Sequence, residues 1–349
     1  MQKKQYELLN EKLRCYIAEN SNIIFEAVIN ENSDLESKYI KCVDDYCSFE
    51  EYDVVLVWNK KNLQDDILQK MNNVFCIDES FFQLIDVKIL LWLNYKYQTI
   101  DDAQRFDLVS RENFLRLKQK KYKKSYVFGT GPSMKEGMDI YLKYEQKKDG
   151  LCKIVCNTAI NNIDYLNRIC PDIYVISDSI FLSNEYEEVI KKIINYVNKH
   201  EMVLCIPCFW LPICLQKYSL DSAKVVGFHE MKDEMSIPIQ EDLELYSKAH
   251  NVITKYAIPI ASTLTEEVYI SGCDGASILD NGDLVYNHAD DVLAINKKNE
   301  VLNHYSFFRQ VIEYGESKGK KYYSITKSYI PILQEKSISI RTNDNFHMI

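Results

Sequence analysis

Glycine and proline are scarce in this chain. Its 349 residues include 10 glycines and 7 prolines, so few positions are available for tight turns, and long disordered segments are disfavoured. Hydrophobic residues make up 46% and charged residues 27%, a balance that is typical of a globular protein with a sizeable core. The length is sufficient for one large domain or two of ordinary size.

An excess of positive charge is also absent. The 42 Lys and Arg residues are outnumbered by 51 Asp and Glu residues, which gives a formal net charge of −9. Because nucleic-acid binding requires a basic surface, this balance argues against a nucleic-acid partner. It leaves room for a local basic pocket that binds a phosphorylated small molecule.

The sequence has no apolar run long enough to cross a membrane. The longest run, residues 203–215, is interrupted by Pro207 and Pro212. Residues 1–10 are polar and lack the apolar stretch of a signal peptide. We therefore expect a cytoplasmic protein, for which peripheral contact with the inner face of the cell membrane stays open.

Cysteines are plentiful by contrast, with 11 in the chain. The number is odd and most of them lie in apolar, strand-like runs, which favours buried reduced thiols over disulfides and indicates a reducing compartment. A single CxxC pair occurs, Cys205 and Cys208, with neither a second pair nor a histidine nearby in the sequence. That pattern argues against a zinc site.

The order of apolar segments predicts an α/β fold. In the second part of the chain, short apolar strands alternate with helices, which is typical of a mostly parallel sheet covered on both faces. We expect a Rossmann-like, doubly wound domain over residues 121–335, followed by a polar tail over residues 336–349. Residues 1–120 have the pattern of a small α/β accessory domain. The Lys-rich link over residues 115–124 is typical of a solvated helix end, and it could also mark the domain boundary.

The strand that opens the second domain runs directly into a glycine-rich loop. The loop consists of Gly129, Thr130, Gly131, Pro132 and Ser133. Its two glycines allow the backbone to turn sharply and a ligand to approach its N–H groups, and Ser133 can cap the next helix, whose N-terminus attracts phosphate. The loop is neither GxGxxG nor a P-loop, which disfavours an ordinary dinucleotide fold and a Walker-type ATPase. An ordinary strand-to-helix turn is the alternative.

Polar residues follow three further predicted strands. They are Asn157 and Thr158 after the second strand, Asp178 and Ser179 after the third, and Ser271, Gly272 and Asp274 after a later one. Because ligands bind at the carboxyl ends of parallel strands, we expect these residues to line a nucleotide site together with the glycine loop. Asn157 can bind a base or ribose through its amide. Asn157 and Asp178 could instead be N-caps of the helices that follow.

Two histidines are candidates for general-base chemistry. His304 is expected at the start of a helix, where the helix dipole would keep the imidazole neutral. His288 follows a loop rich in Asp and Asn, and it is the alternative.

Taken in order, these segments resemble the bacterial lipooligosaccharide sialyltransferases of glycosyltransferase family 42. The resemblance covers about residues 124–332 and rests on the strand before Gly-Thr-Gly-Pro-Ser-Met, the strand ending in Cys-Asn, an apolar helix with Thr254, the strand Val-Tyr-Ile-Ser-Gly-Cys-Asp, the helix with His304 and a last strand over residues 322–328. The outline is also similar to the motility-accessory-factor and MptE-like domain, whose Pro-Asp strand corresponds to residues 171–178.

The resemblance implies a Rossmann-like catalytic domain, a variant of the GT-A type, that transfers a sugar from a nucleotide-activated donor with inversion and without a metal or other cofactor. It implies that His304, or its rival His288, is the general base, and that Tyr286 steadies the departing phosphate. CMP-sialic acid is the first candidate donor, and a bacterial surface glycan or glycolipid, as in lipopolysaccharide or capsule synthesis, is the acceptor. The lack of an Asp-x-Asp motif at a strand end agrees with a metal-independent reaction.

Two other functions stay open. The MptE-like branch implies a pyrophosphokinase acting on a pterin, for which Asp178 and Asp274 could hold Mg²⁺ and ATP, or an accessory factor in protein glycosylation. A third hypothesis is a non-catalytic nucleotide-binding or interaction protein. A homo-oligomer is compatible with each of these functions.

Overall fold

The computed structural model describes most of the chain from residue 100 onward and four short strands before it. The described backbone covers residues 27–29, 40–42, 54–57, 74–76, 100–182, 186–246, 248–249, 251–278, 284–287, 293–296, 298–339 and 347–348. The chain divides into two compact units, Met1–Ile100 with Ser179–Glu187 and Asp101–Asp178 with Glu188–Ile349. This division comes before the helix Ile100–Gln119, whereas the sequence analysis places the domain boundary after it.

The first unit contains a parallel sheet of four short strands. They are β1 (Ala27–Ile29), β2 (Ile40–Cys42), β3 (Val54–Val57) and β4 (Val74–Cys76). They lie in the order β2-β1-β3-β4, and each neighbouring pair is parallel.

The second unit is built on an eight-stranded sheet. Its strands are β5 (Lys124–Phe128), β6 (Leu151–Cys156), β7 (Ile173–Val175), β8 (Val203–Pro207), β9 (Val225–Lys232), β10 (Glu244–Tyr246), β11 (Glu267–Ser271) and β15 (Lys321–Ser324). Every neighbouring pair in this sheet is parallel. The α/β, Rossmann-like class expected from the sequence is confirmed, and this sheet is parallel throughout.

Helices connect these strands. They are α1 (Ile100–Gln119), α2 (Met134–Tyr144), α3 (Ile163–Ile169), α4 (Glu187–Lys199), α5 (Leu211–Gln216), α6 (Ile258–Leu264), α7 (Lys298–Ser317) and α8 (Pro331–Glu335). A 3₁₀ turn, Asn157–Asn162, precedes α3, and a π-helical turn, Ile253–Ala257, precedes α6. In α4 the buried residues Ile190, Ile193, Ile194 and Val197 follow helical spacing, which gives this helix one apolar face.

The strand order reverses at β5. The order across the sheet is β10-β9-β8-β7-β6-β5-β11-β15, so the chain builds outward from β5 in one direction and then adds β11 and β15 on the other side. The side chains of Tyr126, Val127 and Phe128 in β5 are fully buried, as expected for a strand covered on both faces. Open α/β sheets bind ligands at such a reversal, in the crevice outside the carboxyl ends of the two strands.

Helix α1 packs along β9 through polar contacts as well as apolar ones. The hydroxyl of Ser110 accepts a hydrogen bond from the Gly227 N–H group at 3.0 Å, and the Asn113 side-chain amide donates to the Val225 carbonyl oxygen at 2.6 Å. The ring of Phe114 contacts a phenylalanine of β9 edge to face, with centroids 5.4 Å apart. The interpretation of the Lys-rich run as a helix end is confirmed up to Gln119, where α1 ends with Arg116 and Lys118 in its last turn.

Smaller sheets complete the described structure. Strands β12 (Ala276–Ile278), β13 (Leu284–Asn287) and β14 (Leu293–Asn296) form an antiparallel sheet that the sequence analysis does not predict. In the predicted polar tail, β16 (Ile338–Ser339) pairs with β17 (His347–Met348). Within the described part of the chain, no helix combines the length and apolar character needed to span a membrane.

Candidate functional site

Two loops cross at the reversal point of the large sheet. The glycine loop follows β5, and a second loop, residues 272–275, follows β11. The Gly129 N–H group donates to the Ser271 carbonyl oxygen at 2.8 Å, and the Gly131 N–H group donates to the Gly272 carbonyl oxygen at 2.8 Å. The strands are in register up to the crossing, where Ser271 is opposite Phe128. The two loops therefore continue the sheet for a short distance beyond its edge.

Glycine is required on both sides of this crossing. A Cβ on Gly129 would lie 2.5 Å from the Gly272 carbonyl oxygen, and a Cβ on Gly131 would overlap the Asp274 carboxylate. Gly272 has a φ of +65°, a left-handed conformation that glycine adopts without strain. The two predicted glycines of the first loop thus serve close backbone packing against the second loop.

The carboxylate of Asp274 lies at the N-terminus of α2. The Ser133 N–H group contacts both carboxylate oxygens of Asp274 at 3.2 Å. Burial raises the pKa of the Asp274 carboxyl, and the hydrogen bonds from Ser133 oppose that shift. An acidic group is favoured at this end of a helix for the same reason that phosphate is. The position that the sequence assigns to a phosphate is therefore occupied by a side chain of the protein.

Ser133 does not cap α2 with its side chain, so that prediction is wrong. It stands at the N-cap position, but its hydroxyl makes no capping hydrogen bond. Instead the hydroxyl donates to the Thr326 hydroxyl oxygen at 3.0 Å, in the segment after β15. The N–H groups of Gly129, Gly131 and Ser133 are thus occupied within the protein, which differs from the open cradle expected from the sequence.

Ser271 lies beneath α2. Its side chain is buried, and its hydroxyl has no hydrogen-bond partner among the described residues. A Cβ on Gly137 would overlap this hydroxyl, so α2 approaches β11 closely only because residue 137 is glycine. Gly137 is not among the residues predicted from the sequence, although it lies in the helix that directly follows the glycine loop.

Asn157 begins the 3₁₀ turn after β6 in a left-handed conformation, with a φ of +44°. The Tyr174 hydroxyl donates to its carbonyl oxygen at 2.5 Å and accepts from the Ile160 N–H group at 2.9 Å, which fixes the turn. The side-chain oxygen of Asn157 is buried and has no donor among the described residues. A ligand N–H or hydroxyl group at this position would remove that penalty. Thr158 follows in the same turn and is half-buried.

The residues predicted after β7 are separated between the two units. Asp178 is exposed and belongs to the second unit, whereas Ser179 begins a 3₁₀ turn, Ser179–Leu182, that is assigned to the first. The side chain of Ser179 lies outside the described residues. Of these two residues, only Asp178 belongs to the unit that contains the crossing of the two loops.

His304 does not open a helix, so that prediction is wrong. Helix α7 begins at Lys298, which places His304 in its second turn and removes the helix-dipole argument for its charge state. The next residue, Tyr305, accepts a hydrogen bond from the Ala276 N–H group at 3.0 Å. This contact places the second turn of α7 against the chain just after Asp274. His304 itself is half-buried.

Neither of the remaining predicted catalytic residues has a described side chain. Tyr286 is in β13, where its backbone pairs with Ala276 and Ala294, and its side chain is outside the described residues. His288 also lies outside the described residues.

In comparisons with known proteins, no family model and no curated protein matches the chain. The strand order of the large sheet therefore defines the fold class, and the geometry of the site is what bears on function.

Proposed function

We propose that this chain is a metal-independent, inverting glycosyltransferase that binds a nucleotide-activated sugar in the crevice between β5 and β11. The observation that carries the proposal is the hydrogen-bonded crossing of the glycine loop and residues 272–275 at the point where strand order reverses. Parallel α/β sheets bind nucleotides at this position. The resemblance to the family 42 sialyltransferases supports the choice of donor class, with a CMP-sugar as the first candidate.

The nucleoside would bind beside Asn157. Its side-chain oxygen is buried without a donor among the described residues, and β6 is the immediate neighbour of β5 in the sheet. An amino group of a base or a ribose hydroxyl would supply the missing hydrogen bond. Asn157→Ala should therefore weaken the binding of cytidine and of CMP by similar factors, about tenfold for one lost hydrogen bond.

The phosphate would take the place of the Asp274 carboxylate at the N-terminus of α2. Both groups are anions that accept hydrogen bonds from the same kind of N–H donor, so they compete for one position. Asp274→Asn removes the competing charge. It should tighten the binding of CMP, measured by calorimetry, and leave the binding of cytidine unchanged. Weaker binding of both ligands would contradict this placement.

His304 would act as the base that takes a proton from the acceptor hydroxyl as this attacks the anomeric carbon. The Tyr305–Ala276 contact supports this role, because it holds that turn of α7 beside the loop that carries Asp274. His304→Ala should lower the turnover rate by about 10²–10⁴-fold. His200→Ala is the matched control, because His200 is exposed after α4 and stacks on Tyr196.

The first experiment is a thermal-shift screen against CMP, UMP, GDP and ATP. A ligand that binds the native state raises the melting temperature, so we expect stabilisation by CMP. Sugar transfer from the matching donor is then measured with and without EDTA, and we expect equal rates. Loss of sugar transfer in EDTA would contradict the metal-independent reaction, whereas stabilisation by ATP without any sugar transfer would favour the MptE-like pyrophosphokinase. No response to any nucleotide would favour a non-catalytic protein.

A further inference from the structure

A second cluster of reactive side chains lies away from the crevice. In the register of the large sheet, Pro207 at the end of β8 is opposite Phe228. Cys208 follows at the start of a 3₁₀ turn and contacts His229, the residue after Phe228. The sulfur of Cys208 is 3.1 Å from Nδ1 of His229. On the other side of the imidazole ring, Nε2 of His229 is 3.0 Å from Oδ1 of Asp107 in α1.

The packing of α1 on β9 positions the third member of this cluster. Asp107, Ser110 and Asn113 are spaced three residues apart on the helix, and each contacts β9. Asp107 and His229 are far apart in the sequence, but these three contacts hold α1 against β9. Asp107 is therefore fixed relative to the imidazole by the fold.

The contacts of the imidazole determine which of its nitrogens carries the proton. A carboxylate can only accept hydrogen bonds, so Asp107 requires a proton on Nε2 of His229. Nδ1 is then an acceptor and faces the Cys208 thiol. This is the arrangement of a nucleophile, a general base and a carboxylate that orients the base.

The surroundings of Cys208 keep its thiol protonated until a base removes the proton. Burial, followed by the negative charges of Asp107 and Glu230, raises the pKa of Cys208 to about 12. The Glu230 carboxylate is itself paired with Lys255 at 2.9 Å and accepts a hydrogen bond from the Tyr256 hydroxyl at 2.5 Å. Cys208 itself is half-buried, and the side chains of His229 and Asp107 beside it are 17% and 42% exposed.

The other described cysteines lack this environment. Five of them are buried: Cys152, Cys156, Cys205, Cys214 and Cys273. Cys170 is exposed, and its sulfur contacts the Asn167 carbonyl oxygen at 3.2 Å. Cys170 thus provides an internal reference for a thiol that is accessible but has no base within contact distance in the described structure.

We propose that Cys208, His229 and Asp107 form a second active site, which accepts an acyl group from an activated ester or thioester. As Sγ of Cys208 forms a bond to the carbonyl carbon, the thiol proton passes to Nδ1 of His229. The bond from that carbon to the leaving group then breaks, and the departing alcohol or thiol takes the proton from His229. Water, with His229 again as base, hydrolyses the resulting thioester to a carboxylic acid and restores the thiol.

This site is separate from the crevice of the proposed function. Cys208 follows β8 and His229 lies in β9, and β8 is three positions from β5 in the order of the sheet. The inference therefore does not depend on nucleotide binding. Asp107 acts as a positioning residue, because it contacts His229 and not the reacting atoms.

The test uses p-nitrophenyl acetate and the full-length protein. We expect a burst of p-nitrophenolate and, in the trapped protein, an acetyl adduct on the peptide that contains Cys208. Cys208→Ala should abolish the burst, and Cys170→Ser should leave it unchanged. A wild-type protein that is acetylated on Cys170 and not on Cys208, or on neither, would overturn the proposal without reference to any variant.

Two further variants test the roles of the other residues. His229→Ala should slow acetylation of Cys208 by about 10² or more, and added imidazole should restore part of the rate. Asp107→Asn should slow it by at least about tenfold, because an amide can bind the wrong tautomer, and Asp107→Glu should recover part of the loss. An acetylation rate that neither His229→Ala nor Asp107→Asn changes would show that Cys208 acts without a base and would refute the site.

Discussion

The crossing of the two loops at Gly131 leaves no room for a methyl group. A Cβ there would overlap the Asp274 carboxylate and lie 2.8 Å from the Gly272 carbonyl oxygen. Gly131→Ala therefore has to separate the loops, which breaks the bond to Gly272 and the charged contact between Ser133 and Asp274. A neutral hydrogen bond contributes about 0.5–1.5 kcal/mol and one to a charged group about 1.5–3 kcal/mol. We expect the free energy of unfolding to fall by about 2–4.5 kcal/mol.

Urea unfolding followed by circular dichroism measures this loss. The matched control is Gly319→Ala, because Gly319 has a φ of +81° and nothing within 4 Å of a Cβ, so only backbone strain is added there. Gly131→Ala should also lose nucleotide binding, which Gly319→Ala should retain. If Gly131→Ala were as stable as Gly319→Ala and bound nucleotide like the wild type, the reasoning about the crossing would be refuted.

Three further predictions concern contacts within the second unit, and the same urea series measures all of them. Burial raises the pKa of the Asp274 carboxyl, so its protonated form favours the folded state, and that contribution is lost as the pH rises through the folded-state pKa. Asp274→Asn should therefore gain stability relative to wild type as the pH rises above about 4. Tyr256→Phe should lower the free energy of unfolding by about 1.5–3 kcal/mol, because the Tyr256 hydroxyl donates to the Glu230 carboxylate. Tyr322→Phe breaks a hydrogen bond to a neutral hydroxyl, so it should lower the free energy of unfolding by about 0.5–1.5 kcal/mol. Asn113→Ala should lose about 1–3 kcal/mol, because its amide donates to two backbone carbonyl groups. Equal losses for the two tyrosine variants would contradict the assigned charge of Glu230, and an unchanged Asn113→Ala would contradict the docking of α1.

The apolar strands could be predicted from the sequence because they are buried on both faces. β5, β6, β8 and β11 contain mostly apolar residues and lie within two residues of the strands that the sequence predicts over residues 125–128, 153–156, 202–206 and 267–271. β10 is only three residues long and includes Glu244, so its pattern is too short to recognise. Only the Lys-rich end of α1 could be predicted. Part of the packed face of this helix consists of polar residues, such as Ser110 and Asn113, so apolar periodicity does not reveal the rest of it.

The polar edge of the sheet could be predicted in part. The glycine loop and residues 271–274 both end strands, but that β5 and β11 are neighbours follows from the strand order, which the sequence does not contain. The contact between Ser133 and Asp274 joins residues far apart in the chain, and so does the contact between Cys208 and His229. The CxxC pair has no histidine near it in the sequence, yet the fold supplies one. The sequence predicts a helix start at His304, but the polar residues before it, which resemble a loop, already belong to α7.

The measurement that tests the central claim most directly is hydrogen–deuterium exchange of the full chain, with and without the nucleotide that stabilises it most in the thermal-shift screen. A nucleotide bound in the crevice should slow exchange in the glycine loop, in residues 272–276 and in the turn that begins at Asn157. These three segments follow neighbouring strands in the sheet. Protection that instead appears only beyond β8, or no protection under saturating nucleotide, would contradict a nucleotide site between β5 and β11.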